Sequence, residues 1–183
     1  MKVIETELSG VVILETTVFE DKRGIFSRLY NIEELRDIMG ERNIHQVNLS
    51  LTKSPGTVRG MHYQYPPYSE MKLVKCLRGR AWNVVVDLRQ NSSTFLQHHA
   101  FELSSHNALM HITPEGCAHG FQTLEPDTEL LYIHTALYKS DCEGGVSCND
   151  PKLAINWPLP ITNLSLRDSS FAPITDDFKG IAV

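Results

Sequence analysis

Lys72-Leu73-Val74-Lys75-Cys76-Leu77 and the run Ala81 to Leu88 are two short stretches joined by a turn at Gly79. In the second, Trp82, Val84, Val86 and Leu88 alternate with Asn83, Val85 and Asp87. That is the period of two that a strand requires, not the 3.6 of a helix. The pair commits the middle of the chain to β-structure. Gln46-Val47-Asn48-Leu49-Ser50-Leu51 alternates polar and apolar in the same way. Phe95 to Leu103, Ala108 to Ile112, His119 to Leu124 and Glu129 to Leu137 follow, each bounded by Gly, Pro, Asn or Ser. Short strands at near-regular spacing predict an all-β sandwich or barrel.

Residues 3 to 19 also read as strand material, because Val11-Val12-Ile13-Leu14 is too short for a helix and leads into Thr16, Thr17 and Val18. A turn at Asp21-Lys22-Arg23-Gly24 and a strand from Ile25 to Tyr30 come next. Asn31 then reads as the cap of a short helix, with Glu34 at the capping-box position, an apolar stripe of Ile32, Leu35, Ile38 and Met39, and Gly40 at its end. From about residue 165 the chain is polar and turn-rich. With 183 residues and no repeat or linker, one domain over 1–183 is expected, large enough to bury its own core.

A net charge of −5 argues against non-specific nucleic-acid binding, which needs a basic stripe. An anionic partner must be met by local arginines and lysines. No apolar run of about 18 residues for a membrane span occurs, and no secretory leader is evident, so a soluble, cytoplasmic protein is expected. Cys76, Cys117, Cys142 and Cys148 form no CxxC pair and read as reduced thiols.

The chemistry concentrates in Arg59-Gly60-Met61-His62-Tyr63-Gln64, with Lys72 ten residues past His62. An imidazole, with an ordinary pKa of about 6.5, is a good general base near neutrality. Arg59 offers a planar donor fork suited to phosphate, and Gln64 shares the face of His62 if the segment is a strand. Lys72 is either a solvated strand-start lysine or an ammonium set against a carbonyl oxygen, where it would stabilise an enolate. Tyr132 shares a strand face with Leu130 and His134; it reads as a core tyrosine or as a proton donor opposite His62. Asp168 is a turn aspartate unless it meets His62, when it would fix the imidazole tautomer.

RGMHYQ, with DKRGIF before it, KLV, VVVDLR, Pro114-Glu115-Gly116-Cys117-Ala118-His119-Gly120-Phe121, Tyr132, EGG, NDP, WPL and LSLRD after it, resembles the dTDP-4-dehydrorhamnose 3,5-epimerase family of the cupin superfamily. The resemblance runs over nearly the whole chain. It implies a cupin-type double-stranded β-helix, or jelly roll, with a few short helices, acting without metal or other cofactor. It implies a homodimer that epimerises C3 and C5 of a nucleotide-diphosphate 4-keto-6-deoxyhexose through enolates, in L-rhamnose-like deoxysugar synthesis. The strand-rich N-terminus, whose Val11 to Leu14 run needs a partner for its edge, is compatible with such a dimer.

Carried over by position, His62 looks like the base, Asp168 its dyad partner, Tyr132 the acid and Lys72 the holder of the C4 oxygen. Arg59 and Arg23 would bind the diphosphate side, with Gln46, Val47 and Asn48 as further contacts and Phe26 near the nucleotide. Gln64, His119, Glu143 and Arg167 complete the implied substrate contacts; the family usually has lysine at the last. Three departures stand out. Arg28 replaces a ligand-contact glutamate, Asn83 replaces the aspartate of the usual DVxVDxR strand, and Cys117 and Cys148 replace aromatic residues. Three other readings stay open: epimerisation at C3 or C5 alone or 3,4-ketoisomerisation, a metal-dependent cupin oxygenase, and a non-catalytic sugar-nucleotide binding module. Tyr132 favours inversion over simple isomerisation.

Overall fold

The computed structural model describes residues Met1–Val183. In chain order the strands are β1 (Lys2–Glu5), β2 (Val12–Glu15), β3 (Val18–Asp21), β4 (Gly24–Ser27), β5 (Gln46–Thr52), β6 (Val58–Gln64) and β7 (Lys72–Arg78). They continue with β8 (Arg80–Asp87), β9 (His98–Ser104), β10 (Leu109–Thr113), β11 (Cys117–Thr123), β12 (Thr128–His134) and β13 (Glu143–Gly145). Two one-turn α-helices, α1 (Arg36–Met39) and α2 (Leu166–Ser169), and a 3₁₀ turn at Ser140–Cys142 complete the set. A six-stranded sheet runs β1-β2-β10-β7-β12-β5 and a five-stranded sheet runs β13-β6-β11-β8-β9. β3 and β4 pair only with each other. Every strand pairing in these sheets is antiparallel. The all-β jelly roll expected from the sequence is the fold observed.

Three apolar layers hold the sheets. Between them lie Val74, Cys76, Ala81, Val85, Phe101, Leu103, Cys117, Phe121 and Leu130. Outside the six-stranded sheet, Leu35 and Met39 cover Leu14, Leu73, Met110, Ile112 and Ile133. Outside the five-stranded sheet, Val58, Met61, Tyr63, Val84, Val86 and Leu88 meet Leu153, Ile174 and Ile181. The alternation read along β8 therefore separates two buried faces rather than a wet face from a dry one. The turn-rich tail supplies one of the covers: Ile174, Phe178 and Ile181 pack onto the five-stranded sheet. Transfer of one such side chain from water is worth roughly 1.5–3 kcal/mol.

Two local expectations change. The helix begins at Arg36, not after Asn31. Asn31 Oδ1 still accepts from the Glu33 and Glu34 amides, but residues 32–35 form turns, and Ile32 is exposed rather than part of an apolar stripe. Glu34 does not close a capping box; it accepts from the amino terminus and Arg28. The Val11 to Leu14 run is not an open edge either. β2 lies between β1 and β10, and Val11, Val12 and Leu14 are buried.

Candidate active site

Between the sheets opens a cavity of about 670 Å³ whose lining includes Arg59, His62, Lys72, His119, Tyr132, Arg167 and Asp168. A bulge in β6 makes this lining possible. Across β11, His119 faces His62 but Phe121 faces Arg59, so three residues of β6 span two of β11. In a regular strand, positions 59 and 62 would point to opposite faces; here both line the cavity. Gly60 sits at the bulge with φ of 134°, and a Cβ there would stand 2.5 Å from the Gly120 Cα. Only glycine admits that approach.

His62 Nε2 lies 2.8 Å from Asp168 Oδ1. Asp168 Oδ2 accepts from the Gly60 amide at 3.1 Å. Ser165 caps α2 through the Asp168 amide at 3.0 Å, which fixes where that carboxylate stands. Burial alone would raise the Asp168 pKa; the hydrogen bond and charge of His62, with the Gly60 amide, outweigh it and hold the carboxyl at about 2. A carboxylate so held calls for a donor, so Nε2–H points at Asp168 and Nδ1 keeps the free lone pair. Arg167 NH2 also approaches Nε2, at 3.0 Å. Two donors cannot share one contact, so Arg167 acts there as a charge; its other nitrogens bond both oxygens of Glu143 and Asp168 Oδ1.

From the facing sheet, Lys72, Val74 and Cys76 take the inner face of β7, and Leu130, Tyr132 and His134 that of β12. Lys72 Nζ sits 3.3 Å from the His62 carbonyl and 3.2 Å from Glu70. Glu70 also bonds His134 Nδ1 at 2.8 Å. Burial works against the Glu70 charge, but His134 and Lys72 lower its pKa on balance. Burial raises the Tyr132 phenol well above the ordinary tyrosine value, so it stays protonated. The His119 ring stacks edge-on to Tyr132, with centroids 6.0 Å apart. Arg59 donates to Thr52 and the Leu51 carbonyl and has no carboxylate partner, unlike Lys72 and Arg167.

His62, Lys72, Tyr132, Asp168, Arg59, Gln46, Asn48, His119, Glu143 and Arg167 thus share one cavity. Val47 faces outward and is exposed. Gln64 lies outside the lining; its amide ties the Tyr68 and Leu137 carbonyls and the Lys139 amide. Arg23 pairs with Asp21 beside Phe26 on the β3–β4 hairpin, and Arg28 pairs with Glu34, all away from the cavity of this chain. Glu70 and His134 join the cavity lining beyond the residues expected from the sequence. Their signal was there: each sits two positions from Lys72 or Tyr132, hence on the same strand face or just before it.

The family model for dTDP-4-dehydrorhamnose 3,5-epimerase matches residues 5–176. The dTDP-4-dehydrorhamnose 3,5-epimerase of Salmonella typhimurium is 38% identical over 178 residues, covering 96% of each chain. A crystal structure of the Bacillus anthracis enzyme with TDP and PPi bound superposes with a TM-score of 0.91 at 38% identity, covering 94% of this chain and 99% of that one. The Legionella pneumophila enzyme in complex with dTDP-4-keto-L-rhamnose gives 0.88 at 32% identity, over 93% and 90%.

Proposed function

Because the chain belongs to the dTDP-4-dehydrorhamnose 3,5-epimerase family, we propose how its own residues carry out that family's reaction. The protein is an isomerase-class enzyme, an epimerase of a nucleotide-diphosphate 4-keto-6-deoxyhexose in dTDP-rhamnose biosynthesis. His62, through Nδ1, removes the proton alpha to the C4 ketone. Asp168, at 2.8 Å from Nε2, stabilises the imidazolium that results. The Lys72 ammonium, beside the His62 carbonyl, stabilises the negative charge arriving on the C4 oxygen. Tyr132, kept protonated by burial, delivers a proton to the opposite face. The observation that carries this reading is the placement of base and phenol on facing sheets around one cavity. Arg59, the cavity cation without a carboxylate, binds the diphosphate.

The working unit in this reading is a cytoplasmic homodimer. The β3–β4 hairpin exposes Phe19, Ile25 and Phe26 at 61–66% and carries Arg23 at its turn. Edge strand β5 exposes Val47, Leu49 and Leu51 beside the cavity. A second copy that lays its hairpin along β5 buries both surfaces and brings Arg23 and Phe26 to the nucleotide. No helix is long and apolar enough to cross a membrane.

The test is to incubate the protein with dTDP-4-keto-6-deoxyglucose and follow the sugar by NMR. Inversion at C3 and C5 is expected. Inversion at one carbon alone would move the protein to the single-centre reading, and no change in the sugar would refute the epimerase reading.

A further inference from the structure

Asn83 is fully buried on β8, directly across from Phe121 and next to His119 on β11. Its Nδ2 donates to the Ala81 carbonyl at 3.1 Å. A carbonyl can only accept, so that contact fixes the amide, and Oδ1 is the atom that meets His119 Nε2 at 3.2 Å. Oδ1 can only accept in turn. His119 Nε2 therefore carries the proton, and Nδ1 is left with a lone pair and no partner in the protein. Nδ1 is not sealed in: the buried atoms without partners are Ser50 Oγ, Trp82 Nε1, Thr113 Oγ1 and both nitrogens of His111. His119 lines the cavity, so that lone pair opens on it.

We propose that Asn83 is a positioning residue that locks His119 as a neutral imidazole, and that His119 uses its Nδ1 to accept a hydrogen bond from a hydroxyl of the bound sugar. The substrate assignment rests on the epimerase reading; the tautomer does not. A 4-keto-6-deoxyhexose linked at C1 has free hydroxyls at C2 and C3, either of which is a donor of the right kind. The charge state follows from the surroundings. Burial works against a second proton on His119, and Lys72, His62, His134 and His111 around it oppose it further. An amide supplies no compensating negative charge, as a carboxylate at position 83 would. The site thus favours the neutral, accepting form of the ring. It selects for a hydroxyl donor and gives nothing to an oxygen without a proton.

The experiment is ¹⁵N NMR of the His119 ring in the full chain without substrate, followed by binding. Wild type is expected to show the proton on Nε2 and no second protonation between pH 8 and 5. The near-isosteric Asn83→Asp variant is expected to take up a second proton in that range. Wild type should bind thymidine diphosphate bearing 6-deoxyglucose roughly tenfold more tightly than the analogue with fluorine in place of the facing C2 or C3 hydroxyl, and below the pH of that uptake the variant should lose this preference, because Nδ1–H then donates to oxygen or fluorine alike. The variant's affinity for thymidine diphosphate alone should hold, because the new carboxylate and the imidazolium it supports add no net charge. A wild-type His119 protonated on Nδ1, or doubly protonated at pH 7, overturns the proposal. So does a wild type that binds the hydroxyl and fluorine ligands equally, or a variant that keeps the wild-type preference below the pH of its proton uptake. The wild-type spectrum decides the tautomer even where the variant fails to fold, and absence of turnover would count against the epimerase reading alone.

Discussion

His62 and Asp168 stand 106 positions apart in the chain, yet Nε2 and Oδ1 meet at 2.8 Å. The contact joins a strand of the jelly roll to a four-residue helix that Ser165 caps. Asp168→Asn keeps the shape but removes the charge that supports the imidazolium. We predict a fall in kcat of about 10²–10⁴-fold, the usual worth of acid–base assistance, with KM nearly unchanged. A KM effect without a kcat effect would assign Asp168 to binding instead.

Tyr132 should separate proton removal from inversion. Tyr132→Phe leaves His62, Asp168 and Lys72 in place and removes the phenol that burial keeps protonated. Exchange of the substrate C–H with deuterated water should persist while the inverted product falls at least about 10²-fold. Loss of both in step would show that the phenol is needed for the first proton transfer as well.

His111 carries a pH-dependent cost. It is wholly buried, both ring nitrogens lack partners, and burial, helped by Lys72 and His99, pushes its pKa down to about 3. The unfolded chain binds a proton near the ordinary value of about 6.5 that the folded chain refuses. The stability associated with neutral His111 is therefore complete above about 6.5 and is lost as pH falls from there toward 3. The slope is about 1.4 kcal/mol per pH unit for one such group. His119 adds to it in the same direction. His111→Leu should flatten the fall of stability between about pH 6.5 and 5 by about 1.4 kcal/mol per pH unit, the slope for one proton, measured by urea unfolding. An unchanged slope would place proton uptake elsewhere.

The hairpin arm gives a mixing test of the dimer. Arg23→Glu should raise KM several-fold with the His62–Asp168 pair intact. Mixing it with inactive His62→Asn and exchanging subunits should restore activity where an intact arm meets an intact cavity. No restoration would mean that each chain uses its own arm.

How far the sequence discloses this site depends on the range of each interaction. Alternation in β8 and on the inner faces of β7 and β12 could be read directly, because a strand's two faces follow from spacing alone. The set His62, Lys72, Tyr132 and Asp168 came from motif resemblance and does share a cavity. The β6 bulge that turns Arg59 and His62 to the same side could not be read, since Gly60 is needed for the bulge's positive φ and for the close passage of β11, both set by the fold. The tail hid its function for a similar reason: Ile174, Phe178 and Ile181 have a helix-like spacing on a backbone that forms no helix, and only the sheet they cover shows them as core. Helix α1 is shorter than its pattern predicts because Ile32 suits an amphipathic stripe but stands exposed.

Deuterium incorporation into dTDP-4-keto-6-deoxyglucose, followed by NMR in deuterated water for wild type and a folded His62→Asn variant, tests the central claim most directly. Wild type should exchange the protons at C3 and C5, and the variant should exchange neither above the uncatalysed rate. Undiminished exchange in the variant would remove His62 as the base and contradict the account.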